Sequence, residues 1–482
     1  MVTTRGLLLT ICACFYLLGG QAAVRLPALV TDHMVLQRDQ ALPIWGWAEA
    51  GEHVAIWWQD HRYTATTAAG GKWQVLLPAA AAGGPFTMTI QGSNTLVIND
   101  ILVGDVWLAS GQSNMEMPLR DANAPQPGAY PVVLNAEQEV AQASFPQIRQ
   151  FTVKKAPAAT PQAVVEGHWQ VCSPQTAAQF AGVPYFFARG LHLRYHIPIG
   201  IISSPWGGTP AEAWISQEAL QTLPDYQEKT RSLTGDARTV LAVKDPQNTP
   251  TALFNGMIAP LIPYALKGII WYQGESNVGR AKQYRTLFPA LIQDWRRRWG
   301  QELPFLFVQL ANWQPRELQP SDSDWARLRE AQATALALPK TGMAVAIDVG
   351  DAHDIHPANK QAVGQRLVLL ASNKVYGEQA VVAAGPTLEK VLCKRHAVQL
   401  TFTQAGSGLQ AKGDTLRGFA VAGADKQFHW ATATLHGHKV VLTSPAVPKP
   451  VAVRYNWANN PSGNLYNREG LPALPFRTDA WD

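Results

Sequence analysis

Residues 101–115, ILVGDVWLASGQSNM, join a continuous apolar run to a polar turn that contains a serine. The apolar part, residues 101–109, is typical of a strand buried on both faces, which occurs mainly in parallel sheets. Further apolar runs of strand length recur downstream, at residues 197–203, 266–272, 304–310 and 342–348. Stretches with helical spacing lie between or after these runs, among them residues 281–299 and residues 357–371, the latter with proline in its first turn. Strands that alternate with helices predict an α/β sheet covered on both faces.

Short strand-like segments lie on both sides of this region. They are rich in β-branched and aromatic residues and are separated by glycine and polar turns. We therefore divide the chain into a leader at residues 1–22, an N-terminal β domain at 23–100, an α/β domain at 101–384 and a C-terminal β domain at 385–482. The length of 482 residues independently favours about three domains.

Composition and charge exclude several classes of protein. The chain is 47% hydrophobic and 16% charged, too apolar for a disordered chain and too poor in charge for a coiled coil. Its formal net charge is +5, and its densest basic run covers only residues 296–298. Because a nucleic-acid groove needs a broader basic stripe, we expect no nucleic-acid partner and interpret this run as a solvated helix face.

The N-terminus has the pattern of a secretory signal. Arg5 precedes an apolar stretch at residues 6–18, and Gly20 and Ala22 occupy the small-residue positions before a cleavage site. The stretch is too short to span a bilayer as a stable helix. No later segment is apolar and uncharged over about 20 residues. We therefore expect a secreted or periplasmic protein without a membrane span.

Two cysteines would remain after removal of this signal. They are Cys172 and Cys393. In an oxidising compartment they could form one disulfide, and two free thiols are the alternative.

The chemistry is expected at the carboxyl ends of the parallel strands, because open α/β sheets bind their ligands outside that edge. The turn at residues 110–115 follows the first of these strands. A serine in such a turn can expose its hydroxyl while the N–H groups of the turn point into the same space, as an acyl-transfer nucleophile requires. Ser113 is therefore a candidate nucleophile, and an ordinary helix N-cap is the alternative.

Two further loops at this edge carry candidate oxyanion donors. Gly207 and Gly208 allow close backbone approach to a ligand, although the pair could be only a flexible turn. Residues 271–277, WYQGESN, offer a side-chain amide and a glutamate. A buried glutamate needs hydrogen bonds, so Glu275 either orients the neighbours of Ser113 or caps the next helix.

Residues 348–356, DVGDAHDIH, contain three aspartates and two histidines. A histidine beside a carboxylate is the general base that activates a serine hydroxyl. The same residue types coordinate divalent metals, so a metal site and a plain polar loop are alternatives. Along the chain, the order of candidate groups at this edge is serine, glycine, amide and Asp-His.

These motifs resemble those of the sialate O-acetylesterase family of SGNH-type, GDSL-like hydrolases. The resemblance rests on residues 111–115, 271–277 and 354–357 and on the C-terminal stretches 464–467, 469–471 and 475–478. It implies a flavodoxin-like α/β/α core with accessory β-sandwich-like domains. It also implies a serine carbohydrate esterase that hydrolyses O-acetyl esters on sugars without a cofactor or metal.

The resemblance assigns roles to individual residues. Ser113 matches the nucleophile and His356 the base. Three groups match the oxyanion hole: the backbone N–H of Ser113, that of Gly208 and the side-chain amide of Gln273. These roles imply a two-step reaction through an acetyl-enzyme.

The acid that orients the histidine departs from the family pattern. That pattern, Asp-x-x-His, would place an aspartate three residues before His356, where this chain has His353. We expect Asp354 to orient His356, with Asp351 as the alternative. His353 is then a loop residue or a substrate contact.

The expected partner is an acetylated oligosaccharide or polysaccharide. We favour a plant cell-wall glycan such as xyloglucan or xylan, with O-acetylated sialic acid as the alternative, since an anionic sialate would favour an arginine in the pocket. Trp206, Trp271 and Trp313 lie close in sequence to the ends of core strands and could stack on a sugar ring, with core packing as the alternative. A non-catalytic carbohydrate-binding protein and a metal-dependent hydrolase are the other hypotheses. The sequence indicates no oligomeric state.

Overall fold

The computed structural model describes residues 23–123, 126, 128–231 and 241–481. The predicted signal at residues 1–22 lies outside the described residues. The N-terminal region contains β1 Val35–Gln37, β2 Leu42–Trp47, β3 His53–Trp58, β4 His61–Thr66, β5 Lys72–Leu77 and β6 Gly83–Gln91. The central region contains β7 Thr95–Gly111, β8 Phe145–Val153, β9 Gly167–Cys172, β10 Ile199–Pro205, β11 Gly268–Tyr272, β12 Phe305–Gln309 and β13 Thr341–Val345.

Ten short strands follow in the C-terminal region. They are β14 Thr387–Cys393, β15 Val398–Thr403, β16 Leu409–Ala411, β17 Phe419–Ala422, β18 Phe428–Trp430, β19 Thr432–His436, β20 Lys439–Thr443, β21 Ala452–Tyr455, β22 Leu465–Asn467 and β23 Phe476–Arg477. The α-helices are α1 Ser113–Glu116, α2 Ala136–Ala141, α3 Gly182–Tyr195, α4 Gln217–Leu220, α5 Gln227–Arg231, α6 Ala281–Trp299, α7 Asp324–Ala333 and α8 Lys360–Lys374. Single turns of 3-10 or π-helix occur at Ala177–Gln179, Ala211–Trp214, Pro224–Tyr226, Pro246–Asn248, Phe254–Ile258, Ala259–Leu261, Glu275–Asn277 and Thr334–Ala337.

The centre of the molecule is a sheet with the strand order β13-β12-β11-β7-β10-β8-β9. All neighbours in this order run parallel except β8 and β9. If β7, β10, β11, β12 and β13 are counted as strands one to five, their spatial order is 2-1-3-4-5, the flavodoxin-like arrangement. The predicted α/β class is therefore confirmed.

Helices cover both faces of this sheet. Trp107 of β7 contacts Phe187 of α3, and its register partner on β11 is Gly268. Trp271, three residues after Gly268, faces the other side of the sheet because side chains alternate along a strand. On that side Trp271 packs against helix α6, so the apolar strand runs are buried from two directions.

The strand β7 connects the N-terminal region with the core. Its first half pairs antiparallel with β6 and its middle pairs parallel with β1, whereas its second half lies at the centre of the main sheet. It passes through residues 100 and 101, where the sequence predicted a domain boundary, with Asp100 in the left-handed region at φ 54°. One apolar core accordingly extends from the N-terminal strands into the α/β region.

The C-terminal strands form small sheets around an apolar core of their own. Two of these sheets have four strands each, in the orders β14-β15-β20-β19 and β18-β17-β21-β23. The pair β16-β22 adds a further small sheet. These sheets match the accessory β structure that the resemblance implied.

Three further expectations concern the basic run, the two cysteines and membrane-spanning helices. Arg296 is buried, and its guanidinium donates hydrogen bonds to backbone carbonyls, so the solvated-face interpretation of residues 296–298 was wrong for this arginine. Cys172 is buried and Cys393 is exposed, and both are free thiols rather than a disulfide. Across the described ranges, no helix has the length and apolarity needed to cross a membrane.

Candidate active site

Ser113 lies at the start of α1, directly after the central strand β7. Gly111 ends that strand at φ 133°, and a Cβ there would lie 2.1 Å from the carbonyl oxygen of Tyr272. The N-cap of α1 is Gln112 rather than Ser113. Within the described part of the chain, the Ser113 hydroxyl makes no hydrogen bond, so the alternative interpretation as a helix cap does not apply.

An open cleft of about 620 Å³ lies above the carboxyl ends of the strands. Ser113 and His356 both line it, although 243 residues separate them along the chain. Trp206, Gly208 and Tyr130 line the same cleft. The fold therefore brings the predicted serine, histidine and glycine to one surface.

Asp354 contacts His356, which lines this cleft. Asp354 Oδ1 lies 3.0 Å from His356 Nδ1 and also accepts a hydrogen bond from the His356 backbone N–H at 2.8 Å. Asp351 instead accepts from the backbone N–H of His353 at 2.7 Å. Because Nδ1 is directed to Asp354, Nε2 of His356 is the nitrogen left to accept a proton. The geometry therefore favours Asp354 over Asp351 as the orienting acid.

The electrostatic surroundings of His356 favour its neutral form. Burial lowers the pKa of His356, and the charge of Lys360 lowers it further, whereas Asp354 and Glu116 raise it. The edge of the His356 ring also meets the Tyr130 ring, with centroids 5.2 Å apart. A neutral, oriented imidazole is the state that a general base requires.

The two predicted glycines have different partners. The Gly207 N–H donates to Glu116 Oε2 at 2.6 Å and is therefore occupied. Gly208 has φ 74° and lines the cleft, and its N–H has no acceptor among the residues that the structure describes. Gly208 is thus the glycine that remains available as an oxyanion donor.

The prediction for Gln273 is wrong. Its side chain is fully buried, and its Nε2 donates to the carbonyl of Thr209 at 3.2 Å and to Asn277 Oδ1 at 2.7 Å. Its Oε1 accepts from the hydroxyl of Tyr284 at 3.0 Å. The amide connects two loops beneath the cleft and has no donor left for a substrate oxyanion.

The three tryptophans also differ. Trp206 is half-buried and lines the cleft, where the ammonium of Lys155 lies 5.5 Å from its ring centroid. Trp271 is 1% exposed and packs among aromatic rings, so its predicted role in substrate binding is wrong. Trp313 lies outside the cleft and packs against Trp325.

A buried polar network lies directly behind Ser113. Asn114 Nδ2 donates to Glu275 Oε1 at 2.6 Å and to the Ile355 carbonyl at 3.2 Å. Its Oδ1 accepts from Lys360 Nζ at 2.5 Å. Of the two interpretations of Glu275, the structure supports the first, since it contacts the neighbour of Ser113.

Sequence reasoning missed four residues at or behind the cleft: Glu116, Tyr130, Lys155 and Lys360. Glu116 and Lys360 had a local signal, because each lies within four residues of a predicted catalytic residue. Tyr130 and Lys155 are distant in sequence from every candidate, and only the fold brings them to the cleft.

A metal site is the alternative interpretation of the aspartate-rich loop at residues 348–356. Asp348 pairs with the guanidinium of Arg366 at 2.6 Å and accepts from the hydroxyl of Tyr466 at 3.0 Å. The three aspartates of this loop, Asp348, Asp351 and Asp354, thus contact different groups. In the described ranges, no three His, Cys, Asp or Glu side chains are grouped as a metal ion would require.

Comparison with known proteins gives a consistent family. Residues 103–371 match the family described as carbohydrate esterase, sialic acid-specific acetylesterase. The chain is 30% identical to the sialate O-acetylesterase of Rattus norvegicus, with 95% of each chain covered. It is also 30% identical to that of Homo sapiens, with 94% of this chain and 92% of the human protein covered.

A solved structure is similar over nearly the whole chain. It is a carbohydrate acetylesterase from Xanthomonas citri, with 43% sequence identity and a TM-score of 0.86. The similarity covers 95% of this chain and 100% of that structure. Both the α/β core and the accessory β sheets therefore have a counterpart in a solved esterase.

Proposed function

The chain belongs to the sialic acid-specific acetylesterase family of carbohydrate esterases, and from this premise we propose that Ser113, His356 and Asp354 carry its reaction. The observation that carries the proposal is the geometry of the cleft. Ser113 and His356 line it together, and Asp354 Oδ1 lies 3.0 Å from His356 Nδ1. This is the arrangement by which a serine hydroxyl becomes a nucleophile.

In the acylation step, His356 Nε2 takes the proton of the Ser113 hydroxyl as its oxygen attacks the acetyl carbonyl. Asp354 stabilises the resulting imidazolium. The oxyanion is bound by the backbone N–H groups of Ser113 and Gly208. As the intermediate collapses, the sugar oxygen leaves with the proton from His356, and the acetyl group remains on Ser113.

In the deacylation step, water repeats the attack. His356 takes a proton from the water as its oxygen adds to the acetyl carbonyl. The C–O bond to Ser113 then breaks, and His356 returns the proton to the serine oxygen. Acetate and free enzyme result, and no cofactor enters the balance.

We propose a neutral acetylated glycan as the substrate, in particular a plant cell-wall polysaccharide such as xyloglucan or xylan. Two features of the cleft support this choice. Its described lining includes no arginine, and Lys155 is already paired with Glu116 Oε1 at 2.5 Å. Trp206 offers a ring face on which a neutral sugar can stack.

Sialic acid esters are the second candidate substrate. The support comes from the relatives, since the rat and human proteins are named sialate O-acetylesterase. An anionic sialate would have to engage Lys155, at the expense of its ion pair with Glu116. The two candidates therefore predict opposite preferences for substrate charge.

We further propose that the protein is exported. The support is the pattern of Arg5, the apolar stretch at residues 6–18 and the small residues before position 23. Expression of the full chain followed by N-terminal sequencing would test this. A mature protein that begins at Ala23 is expected, and a retained Met1 would contradict export by this signal.

The proposed function is tested by acetate release from the full chain on acetylated xylan, xyloglucan, pectin and O-acetylated sialic acid. Release from the neutral glycans is expected to exceed release from sialic acid. Ser113→Ala should lower turnover of p-nitrophenyl acetate by about 10⁴ or more. Activity of this variant within about tenfold of wild type would refute the nucleophile, and glycan binding without acetate release would favour a non-catalytic protein.

A further inference from the structure

A buried lysine connects the loops of the active site from behind. Lys360 is the first residue of helix α8, and its side chain is fully buried. Its ammonium donates to Asn114 Oδ1 at 2.5 Å. Asn114 is adjacent to Ser113 in the chain, and Lys360 follows His356 by four residues.

Both the oxygen and the nitrogen of the Asn114 side-chain amide make hydrogen bonds. Oδ1 accepts from Lys360, while Nδ2 donates to Glu275 Oε1 at 2.6 Å and to the carbonyl of Ile355 at 3.2 Å. Ile355 immediately precedes His356. One side chain thus joins the nucleophile turn, the loop after β11 and the histidine loop.

The location of Lys360 is costly for folding. A fully buried ammonium loses its hydration, and a cation at the first residue of a helix opposes the helix dipole. Burial lowers the pKa of Lys360 to about 7, while Glu275 and Asp354 raise it. If this side chain only filled space, methionine or leucine would do so without the cost of burying a charge. The charge of Lys360 is therefore expected to have a role of its own.

We propose that Lys360 is a positioning residue for the esterase reaction: through Asn114 it fixes the turn carrying Ser113 against the loop carrying His356. The inference rests on the proposed function of Ser113 and His356. Lys360 itself does not line the cleft, so it acts on the reaction through other residues.

Several charged groups face this arrangement from different elements. Lys360 is faced by Glu275, which lies on the loop after β11, and by Asp354, which lies on the histidine loop. Its ammonium lies 5.9 Å from the ring centroid of Tyr272. His356 is additionally faced by Glu116 on α1, which is paired with Lys155. Among these groups, Lys360 opposes protonation of His356, whereas Asp354 and Glu116 favour it.

The test is Lys360→Met, which keeps most of the side-chain volume and removes the charge and the hydrogen bond. We expect kcat for p-nitrophenyl acetate to fall about 10-fold to 100-fold through misplacement of the reacting groups, with KM nearly unchanged because the cleft lining is intact. The acid limb of kcat/KM should move to higher pH, because the charge of Lys360 lowers the pKa of His356. A purely structural role would not move this limb.

The matched control is Lys374→Met, the same substitution at the last residue of the same helix. It should leave kcat, KM and the acid limb unchanged. If Lys360→Met does not fold because Glu275 is left as an unpaired buried charge, the double variant Glu275→Gln/Lys360→Met removes both charges together. This variant should show the same fall in kcat and the same direction of the pH shift.

A folded Lys360→Met or double variant with wild-type kcat and an unmoved acid limb would overturn the inference. Failure of the proposed function has a different signature, measured on the same ester. In that case Ser113→Ala would be as active as wild type, irrespective of the result at Lys360.

Discussion

Asp354 and Asp351 are carboxylates of one loop, yet they contact different groups. Asp354 Oδ1 reaches the ring of His356, whereas Asp351 binds the backbone N–H of His353. A carboxylate on Nδ1 selects the tautomer with a free Nε2 and stabilises the imidazolium. Only one of the two side chains is therefore in a position to assist the base.

Replacing the two aspartates one at a time tests this difference. Asp354→Asn should lower kcat by about 10³-fold to 10⁴-fold, because the amide selects the wrong tautomer. Asp351→Asn, the matched control, should stay within about threefold of wild type, since Asp351 does not touch His356. Steady-state kinetics on p-nitrophenyl acetate measure both, and a larger loss at Asp351 would reverse the assignment.

The pH dependence of the reaction should report His356. Its pKa is lowered from the ordinary 6.5 by burial and by Lys360. The base works when neutral, so the midpoint of the acid limb of kcat/KM should lie below 6.5. A kcat/KM profile measures this midpoint, and a value at or above the ordinary one would contradict the expectation.

At the scale of elements, the end of β7 shows how the nucleophile turn is built. The sequence predicted a strand at 101–109, and the observed strand is Thr95–Gly111. Gly111 lies against the backbone of Tyr272 on the neighbouring strand. The strand therefore approaches β11 closely just before Ser113, which requires a residue without a side chain.

Gly111→Ala should consequently destabilise the fold. An added Cβ would lie 2.1 Å from the Tyr272 carbonyl oxygen, in a backbone conformation at φ 133° that favours glycine. We expect a loss of about 3 kcal/mol or more, as for other buried backbone clashes. Thermal unfolding measures it, with Gly70→Ala as control because nothing lies within 4 Å of the added carbon there. Equal stability of the two variants would contradict the close approach.

Two helices show how far local sequence signals can predict where a helix begins and ends. The predicted helix at 281–299 coincides with Ala281–Trp299, where Gly300 ends the helix at φ 64°. The helix predicted at 357–371 instead begins at Lys360, because the side chain of Asn359 accepts the N–H of Ala362 and forms the N-cap. Pro357 suggested an earlier start, but the N-cap is Asn359, two residues later.

At the scale of the whole molecule, one arginine connects the C-terminal β region with the core. Arg329 is fully buried in helix α7. Its guanidinium donates to the carbonyls of Leu310 and Ala311 after β12, and to those of Ala458 and Asn459 in the C-terminal region. The C-terminal sheets are thereby held against the edge of the core that carries the cleft.

Arg329→Met should leave these four carbonyls without this donor and lower the free energy of unfolding by about 3 kcal/mol or more. The midpoint of urea unfolding measures the change. Arg327→Met on the same helix is the control, since the exposed pair of Arg327 with Asp322 should contribute at most about 1 kcal/mol. A similar shift in both variants would contradict the expectation that the buried hydrogen bonds of Arg329 contribute more to stability than the ion pair of Arg327.

The sequence alone determined the order of strands and helices, and with it the edge of the sheet where the cleft lies. Hydrophobic periodicity and turn residues are local, and parallel strands bring their carboxyl ends together. For the same reason the sequence could place Ser113, Gly208 and His356 at one edge of the sheet, where all three line the cleft.

Only the tertiary structure decided which side chains are free to act. Trp271 and Gln273 are close in the chain to Glu275 and Ser276, which line the cleft. However, Trp271 is packed among aromatic rings, and Gln273 is hydrogen-bonded to Thr209 and Asn277. Lys360 reaches Asn114 across 246 residues of chain. The face of the sheet on which a side chain lies, and the partner that its polar atoms take, depend on contacts between distant elements, which local sequence patterns do not contain.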